Sequence, residues 1–453
     1  MPDGIGLRNF AFTSFVEIGE KYGWEIKFWN QTPFNLTSLG FQEIKLCGKP
    51  RALTDLFKRA KINVELDFFT KKFNDPVYQT YKFPSTGKGM KNGIKKILVK
   101  IFERIYTGEK GVRKIQKTLK QSENNSEYYK NSFDVLKEEK PDMVLCTNQR
   151  AVNAIAPLLA AENLKIPTAC FIFSWDNLPK ATLVINTDYY FVWSEYMKAE
   201  LLQYYPFIDA EEIKITGSPQ FEHYFNKDLL VTKEDFYYQN NLDPETEYLC
   251  YSGDDITTSP HDHSYLKDVA EAVRVLNAKG RKLGIIFRRS PVDFSSRYDD
   301  TINAFSDIIT PIEPLWEEKG ERWNTILPTK EDLNLQANLI QHTFMVINVG
   351  SSMVFDYVCM GKPCAYINYN PQEENLIRNI NEIYRYVHFR SMPSEKSVLW
   401  INSKDGIGMV IEKVMENNSL KNLEAAQEWF AIINGVPPKD VSKNMWREID
   451  KIQ

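Results

Sequence analysis

With 453 residues, 43% of them hydrophobic and 26% charged, the chain has the composition of a soluble globular protein of two or three domains. Its 56 basic and 60 acidic side chains leave a net charge of −4, which excludes a global electrostatic grip on nucleic acid. No apolar run reaches the roughly 18 residues of a membrane span. Met1-Pro2-Asp3-Gly4 carries neither the basic nor the apolar region of a signal peptide, so a cytoplasmic protein is expected.

The chain opens on Asp3-Gly4-Ile5-Gly6-Leu7-Arg8-Asn9, a glycine-bearing stretch with no strand ahead of it. Residues 24–29 and 41–46 then read as strands. The near-neutral total hides one asymmetry. Residues 88–120 hold eleven lysines and arginines against Glu103 and Glu109, a net +9 that leaves −13 for the rest. Within this segment Ile94, Ile97, Leu98, Ile101, Phe102 and Ile105 recur at helical spacing between the lysines, which predicts a basic amphipathic helix. Such a helix either packs its apolar stripe on its own domain or docks on an anionic membrane face or an anionic acceptor. It carries no aromatic platform or groove-reading motif, so nucleic acid is not the expected partner.

Strand and helix alternate from there. Strands are predicted at 143–147, 168–173, 189–193 and 213–216, with helices at 151–163 and 195–205. This order implies βαβ units and a parallel sheet. Gly217-Ser218-Pro219 interrupts the pattern, and residues 226–247 are polar and read as mostly helical. The alternation restarts with strands at 248–252, 283–288, 344–349 and 363–368, and helices at 265–278, 333–341 and 353–360. The tail is helical again from about residue 424. The expected fold is therefore α/β, with two doubly wound parallel-sheet domains at 1–225 and 226–423, and helices at 424–453 packing back toward the first. The six cysteines form no Cys-x-x-Cys pair, and Cys146, Cys170 and Cys250 lie in apolar runs, which predicts reduced core thiols.

Open parallel sheets bind ligands at the carboxyl ends of their strands. The strongest such signal is Val346-Ile347-Asn348-Val349-Gly350-Ser351-Ser352, a buried strand that runs straight into a helix. Gly350 lets backbone approach a ligand, and Ser351 and Ser352 add hydroxyls to the free amides of the helix start, which suits a phosphate. The plainer alternative is that one of the serines merely caps the helix. Asp356, four positions on, is acidic where a ribose diol needs an acceptor.

Together with Cys359-Met360-Gly361-Lys362-Pro363-Cys364, this segment resembles the donor site of GT-B glycosyltransferases, above all bacterial surface-polysaccharide transferases of the sialyl-, Kdo- and CDP-glycerol types. Ile213-Lys214-Ile215-Thr216-Gly217-Ser218-Pro219 resembles the end of a GT-B N-terminal domain, and Phe173-Ser174-Trp175-Asp176-Asn177-Leu178 a Ser-Trp-Asp-Asn loop of bacterial members. The opening stretch resembles the glycine loop that follows the first GT-B strand, so a start downstream of that strand is expected. The resemblance implies two Rossmann-like domains facing a cleft, the second binding a nucleotide sugar and the first an acceptor.

Under that resemblance Ser252, Gly253, Arg288, Arg289, Gly350, Ser351, Ser352 and Asp356 would bind the donor and its phosphates, and Leu327 and Pro328 the nucleobase. Arg288-Arg289-Ser290-Pro291 stands where several of these families carry His-Pro, so a diphosphate clamp replaces a general acid there. Gly4, Gly6, Asn148, Arg150, Trp175 and Asn177 would meet the acceptor. Asp176, Asp3 and His261 are the candidate catalytic groups, with an Asx turn the alternative for Asp176. His261-Asp262-His263 could begin a metal site, but no further cluster has ligand spacing, and GT-B enzymes generally need no catalytic metal. No metal and no cofactor beyond the nucleotide-sugar co-substrate are expected. His223 would line the interdomain cleft.

The function this implies is transfer of a sugar from a nucleotide donor to a hydroxyl of a glycan or lipid-linked acceptor, in bacterial surface-glycan synthesis at the inner face of the cell membrane. The rivals are a CDP-glycerol-type phosphotransferase or a sugar-nucleotide 2-epimerase of the same fold, and a non-catalytic glycan-binding or scaffold protein.

Overall fold

The computed structural model describes residues 1–82, 90–318, 326–372 and 376–452. Contacts divide the chain into two units, Met1–Pro219 with Ile433–Gln453, and Gln220–Ile432. The division thus falls a few residues before the expected 225/226 boundary.

In the first unit β1 (Phe28–Asn30) pairs in parallel with β2 (Glu43–Lys45). Residues 24–27 have no ladder partner, so the expected strand is cut to its last part. Four further strands, β3 (Val144–Cys146), β4 (Thr168–Phe171), β5 (Tyr189–Val192) and β6 (Ile213–Ile215), form a parallel sheet in that order. Among the described residues the two sheets share no hydrogen-bonded strands. A cavity of about 470 Å³ lies between β1 and β3.

Helices cover these sheets. A single π turn at Leu7–Ala11 leads into α1 (Phe15–Lys21), and α2 (Ala52–Phe73) follows β2. Sequence periodicity missed α2 because its buried stripe contains Lys61 and Glu65, which form an ion pair inside it at 2.6 Å. The predicted basic helix is two helices, α3 (Met90–Ile105) and α4 (Gly108–Gln121), broken where Gly108 takes φ of +64°. Lys88 lies outside the described residues. The predicted apolar stripe also divides. Val99 is buried, Leu98 and Phe102 are half-buried, and Phe102 stacks on Phe57 of α2 at 4.6 Å. Ile94, Ile97, Ile101 and Ile105 instead stand 54%, 60%, 43% and 60% exposed. Then come α5 (Glu127–Glu139), α6 (Ile155–Asn163) and α7 (Glu195–Tyr204), with Ser126 and Ser194 capping α5 and α7 through the amides of Tyr129 and Met197.

The second unit begins with turns and α8 (Lys233–Gln239), so residues 226–247 are less helical than expected. Its chain then runs β7 (Glu247–Ser252), α9 (Asp262–Ala278), β8 (Leu283–Arg288), α10 (Asp299–Ala304) and β9 (Ile309–Pro311). A small antiparallel pair, β10 (Glu317–Glu318) and β11 (Ile326–Leu327), precedes α11 (Lys330–His342). The sheet resumes with β12 (Val346–Asn348), α12 (Met353–Cys359), β13 (Cys364–Ile367), α13 (Ile380–Ile383) and β14 (Leu399–Ile401), followed by α14 (Ile407–Met415). All six main strands are parallel, in the order β14-β13-β12-β7-β8-β9. That is a doubly wound order, reversing between β7 and β12.

The tail splits. α15 (Leu420–Ile433) packs in the second unit, where Trp429 meets Phe355 at 4.8 Å and donates to Ser391 at 2.9 Å. α16 (Val441–Asp450) lies on α1, with Trp446 stacked on Phe15 at 4.8 Å and bonded to its carbonyl at 2.7 Å. A Cβ at Gly19 would lie 2.2 Å from the Trp446 ring, so that packing requires glycine. No cysteine is disulfide-bonded, and Cys146, Cys170, Cys250 and Cys364 are buried. Among the described residues no helix is long and apolar enough to cross a membrane.

Candidate functional site

The reversal between β7 and β12 sets two loops of the second unit side by side, because Val346 pairs with Cys250 and Ile347 with Tyr251. One loop is Ser252-Gly253-Asp254 and the other Gly350-Ser351-Ser352. Gly350 takes φ of +67°, and a Cβ there would sit 3.1 Å from Phe389 and 3.3 Å from Tyr384. Both conformation and space therefore demand glycine. Asn348 accepts from the Ser351 amide at 2.9 Å, and Tyr366 donates to the Ser351 carbonyl at 2.8 Å. The Ser351 hydroxyl accepts weakly from Met353 at 3.3 Å, whereas Ser352 is exposed and makes no cap bond. Asp356 accepts from the Tyr224 hydroxyl at 2.9 Å.

Gly253 is held to the neighbouring strand by the Arg288 carbonyl at 2.9 Å. The Arg288 side chain turns inward, donating to both oxygens of Asp332 at 2.8 and 2.9 Å. Asp332 also accepts from the Leu315 amide and the Trp316 indole, at 2.8 and 2.6 Å. Arg288 is thus a buried anchor for the 315–316 segment and α11, rather than an open diphosphate clamp. Arg289 bonds the Ser295 carbonyl and leans on the Tyr298 ring at 5.5 Å. Leu327 and Pro328 are buried just before α11, whose cap is Thr329.

His261 is buried at the start of α9, its Nε2 accepting from the Ile377 amide at 2.9 Å. Asp262 is consumed by structure, accepting from Tyr298 at 2.7 Å, Tyr251 at 3.2 Å and the Asp254 amide at 3.1 Å. Among the described residues no group of three or more His, Cys, Asp or Glu side chains could hold a metal. Burial, with the charges of Asp255 and Asp262, pushes the Asp254 carboxyl well above the usual range. That shift comes from neighbours brought together by folding, which no local sequence pattern marks.

In the first unit the corresponding loops are Asp3–Gly6 and those after β3 and β4. Asp3 is buried, accepting from the Asn148 amide and from the Ile5 backbone at 3.2 Å. Burial raises its carboxyl above the usual range, against the Asn148 bond and the Arg150 charge. A Cβ on Gly6 would lie 2.6 Å from Thr147 Oγ1, and Gly4 accepts from the Leu7 amide at 3.1 Å. Arg150 lies over the Phe173 ring at 5.6 Å.

Asp176 pairs with Lys180 and accepts from Ser174 at 2.7 Å and Asn177 at 2.8 Å, a turn built around one carboxylate. Trp175 and Asn177 are buried. Gln149 ties the two loops by donating to Asn177 at 2.8 Å and accepting from Phe173 at 3.2 Å. Two charged neighbours also escaped the sequence. Burial, then the Arg150 charge, pushes Lys58 of α2 down to about 8. Burial, then the Asp176 charge, pushes Glu200 of α7 up to about 8. Neither has a motif, because each is made unusual by what folds against it. Asp3, Asn148 and Arg150 thus gather in one unit, and Ser252, Gly253 and Arg288 in the other.

No known family model matches the chain, and no curated protein sequence matches it. Among solved structures, the UDP-GlcNAc 2-epimerase of Neisseria meningitidis bound to UDP-GlcNAc is 13% identical, covering 88% of this chain and 97% of its own at a TM-score of 0.47. S. aureus MnaA with UDP is 12% identical, covering 88% and 94% at 0.47. A glycosyltransferase of Rickettsia africae is 12% identical, covering 89% and 96% at 0.44. The fold itself is fixed by strand order: two parallel-sheet units of the Rossmann-like kind on which GT-B enzymes are built.

Proposed function

We propose that the chain is a sugar-nucleotide enzyme that binds its donor at the reversal of the second sheet and transfers the sugar to a hydroxyl acceptor. The observation that carries this reading is the left-handed, sterically closed Gly350 beside β7, followed by Ser351 and the exposed Ser352. Gly350 turns the chain tightly beneath the Phe389 and Tyr384 rings, and the two hydroxyls that follow can donate to a diphosphate. In the reaction, an acceptor oxygen forms a bond to the anomeric carbon, the bond to the nucleoside diphosphate breaks, and the hydroxyl proton passes to a carboxylate.

The test is a thermal-shift screen with UDP-, GDP-, CDP-, CMP- and dTDP-linked sugars. At least one should stabilise the protein, and Ser351→Ala with Ser352→Ala should weaken that donor about tenfold or more. No shift with any donor overturns the proposal.

A second reading, a sugar-nucleotide 2-epimerase, is favoured by Asp254. Burial beside the donor loop raises this carboxyl toward the range where it can both take and return a proton, which suits proton exchange at a sugar carbon. Incubating the active donor in D2O without acceptor separates the two. Deuterium at C2 supports the epimerase, and an unlabelled donor supports the transferase.

For the acceptor side we propose peripheral docking on an anionic membrane through α3, in surface-glycan synthesis at the inner membrane face. The four exposed isoleucines stand beside exposed Lys95, Lys96, Lys100 and Arg104, which make no ion pair among the described residues. Burying one isoleucine is worth roughly 1.5–3 kcal/mol, and each cation near an anionic surface about 1 kcal/mol. Together they support reversible binding. Ile97→Asp with Ile101→Asp should abolish flotation with phosphatidylserine or phosphatidylglycerol vesicles at low salt. Wild-type protein that stays unbound there removes the membrane from the account.

A further inference from the structure

The loops at the carboxyl ends of β3 and β4 stand beside a lysine that the fold leaves without a counter-ion. α2 passes next to them and is pinned there by backbone. Lys61 donates to the Leu183 carbonyl at 2.6 Å, and the next residue, Val184, donates to the Gln149 carbonyl at 3.0 Å. The Val152–Ala154 turn packs on the same helix. Lys58 precedes Lys61 by three positions, so it shares that face one turn nearer the start of α2. This places it against Arg150, whose guanidinium lies over the Phe173 ring at 5.6 Å.

Lys58 is half-buried, yet it makes no hydrogen bond or ion pair among the described residues. The carboxylates near it already have partners. Asp55 pairs with Arg59 at 2.9 Å, Asp176 pairs with Lys180, and Asp3 accepts from Asn148 and from the Ile5 amide at 3.2 Å. A lysine that served only the surface would carry its ammonium out to water on its flexible stem. This one is kept beside a second cation, and burial with the Arg150 charge pulls it down to about 8.

We propose that Lys58 and Arg150 together bind an oxyanion of the acceptor, a carboxylate or a phosphate, at the carboxyl end of the first unit's four-stranded sheet. The inference rests on the transferase reading and adds to it that the acceptor is acidic. The two cations suit different parts of one group. A guanidinium presents paired N–H donors to two oxygens, and an ammonium supplies a compact charge with rotatable donors. The oxyanion also brings the counter-charge that Lys58 lacks, so its binding relieves the repulsion between the two cations. Open parallel sheets bind their ligands at this end.

The experiment measures thermal midpoints of the full chain without donor, in methyl glucuronide, glycerol 3-phosphate or the neutral methyl glucoside, with ionic strength held constant by chloride. At least one acid should raise the midpoint, and methyl glucoside should not. Which acid does so distinguishes a carboxylate from a phosphate. Lys58→Met should weaken that acid about tenfold or more, and Lys58→Arg should keep it within about threefold. Removing an unneutralised cation is expected to stabilise the protein at pH 7, and the ligand-free midpoint of Lys58→Met separates lost binding from lost folding. No response to either acid, or an equal response in wild type and Lys58→Met, overturns the proposal. So does an equal loss of nucleotide-sugar binding in Lys58→Met, which assigns the cation pair to the donor's diphosphate. Donors are screened separately, so acids that bind where every donor fails uphold the anion site and break the transferase reading alone.

Discussion

The two sheets follow one plan and differ at its centre. In the second unit β7 and β12 are bonded neighbours, so the Ser252–Asp254 and Gly350–Ser352 loops rise from a closed sheet. In the first unit the equivalent place, between β1 and β3, is open. Strand pairing brings the second-unit loops together, whereas the Met1 amino group on the Trp29 carbonyl and the Asn148 side chain on Asp3 hold the first-unit loop. Substitutions of polar side chains should therefore disturb loop geometry more in the first unit, and backbone changes more in the second.

The largest effect concerns the buried ion pair of each unit. Asp332→Ala strands an arginine that cannot shed its proton, and it also orphans the Leu315 amide and Trp316 indole. A loss of about 3–5 kcal/mol is expected in urea unfolding of the second unit. Lys61→Met strands Glu65 instead, whose carboxyl burial already pushes up to about 7, so it can take a proton. That loss should stay near 1–3 kcal/mol. Equal losses would mean that Glu65 stays charged when unpaired, and the contrast between the two anchors would fail.

Much of the second site was legible because its chemistry lies in local order: a buried strand, Gly350, two serines and a helix are contiguous in the chain. The first site was legible only in part. Asn148 and Asp176 follow predicted strands and Asp3 opens a glycine-bearing stretch, but Lys58 and Glu200 acquire their character from distant contacts. The inward turn of Arg288 was invisible for the same reason, since its partner Asp332 lies on α11. α2 escaped because Lys61 and Glu65 interrupt its apolar stripe. α3 misled in the opposite sense: helical spacing identifies a stripe of isoleucines but does not say whether anything covers it.

A smaller effect tests the backbone side of the contrast. Gly350→Ala imposes a side chain at φ of +67° against aromatic rings, for which about 1–2 kcal/mol is expected. It should also weaken the bound donor about tenfold. Gly6 has no left-handed requirement, and its crowding comes from Thr147 Oγ1 and the Met1 side chain. Gly6→Ala should cost less, and Thr147→Ala should restore part of the loss. A Gly6→Ala defect that Thr147→Ala leaves unchanged would put the constraint in the backbone of both loops.

The smallest effect is a slope with pH. Lys58 sits beside Arg150, and burial with that charge lowers its ammonium from 10.5 to about 8. Between these values the unfolded chain holds the proton that the folded chain has lost, so stability from this group rises with pH across the window from about 8 to 10.5. At neutral pH the folded state bears the cost of a half-buried, unneutralised charge. Lys58→Met should remove the slope and raise stability at pH 7, by about 1 kcal/mol after allowance for solvent screening. Urea midpoints measured from pH 7 to 10 for both proteins decide the matter. Parallel curves would return Lys58 to the ordinary surface lysines, and would leave Arg150 and the Met1 ammonium as cations acting on Asp3.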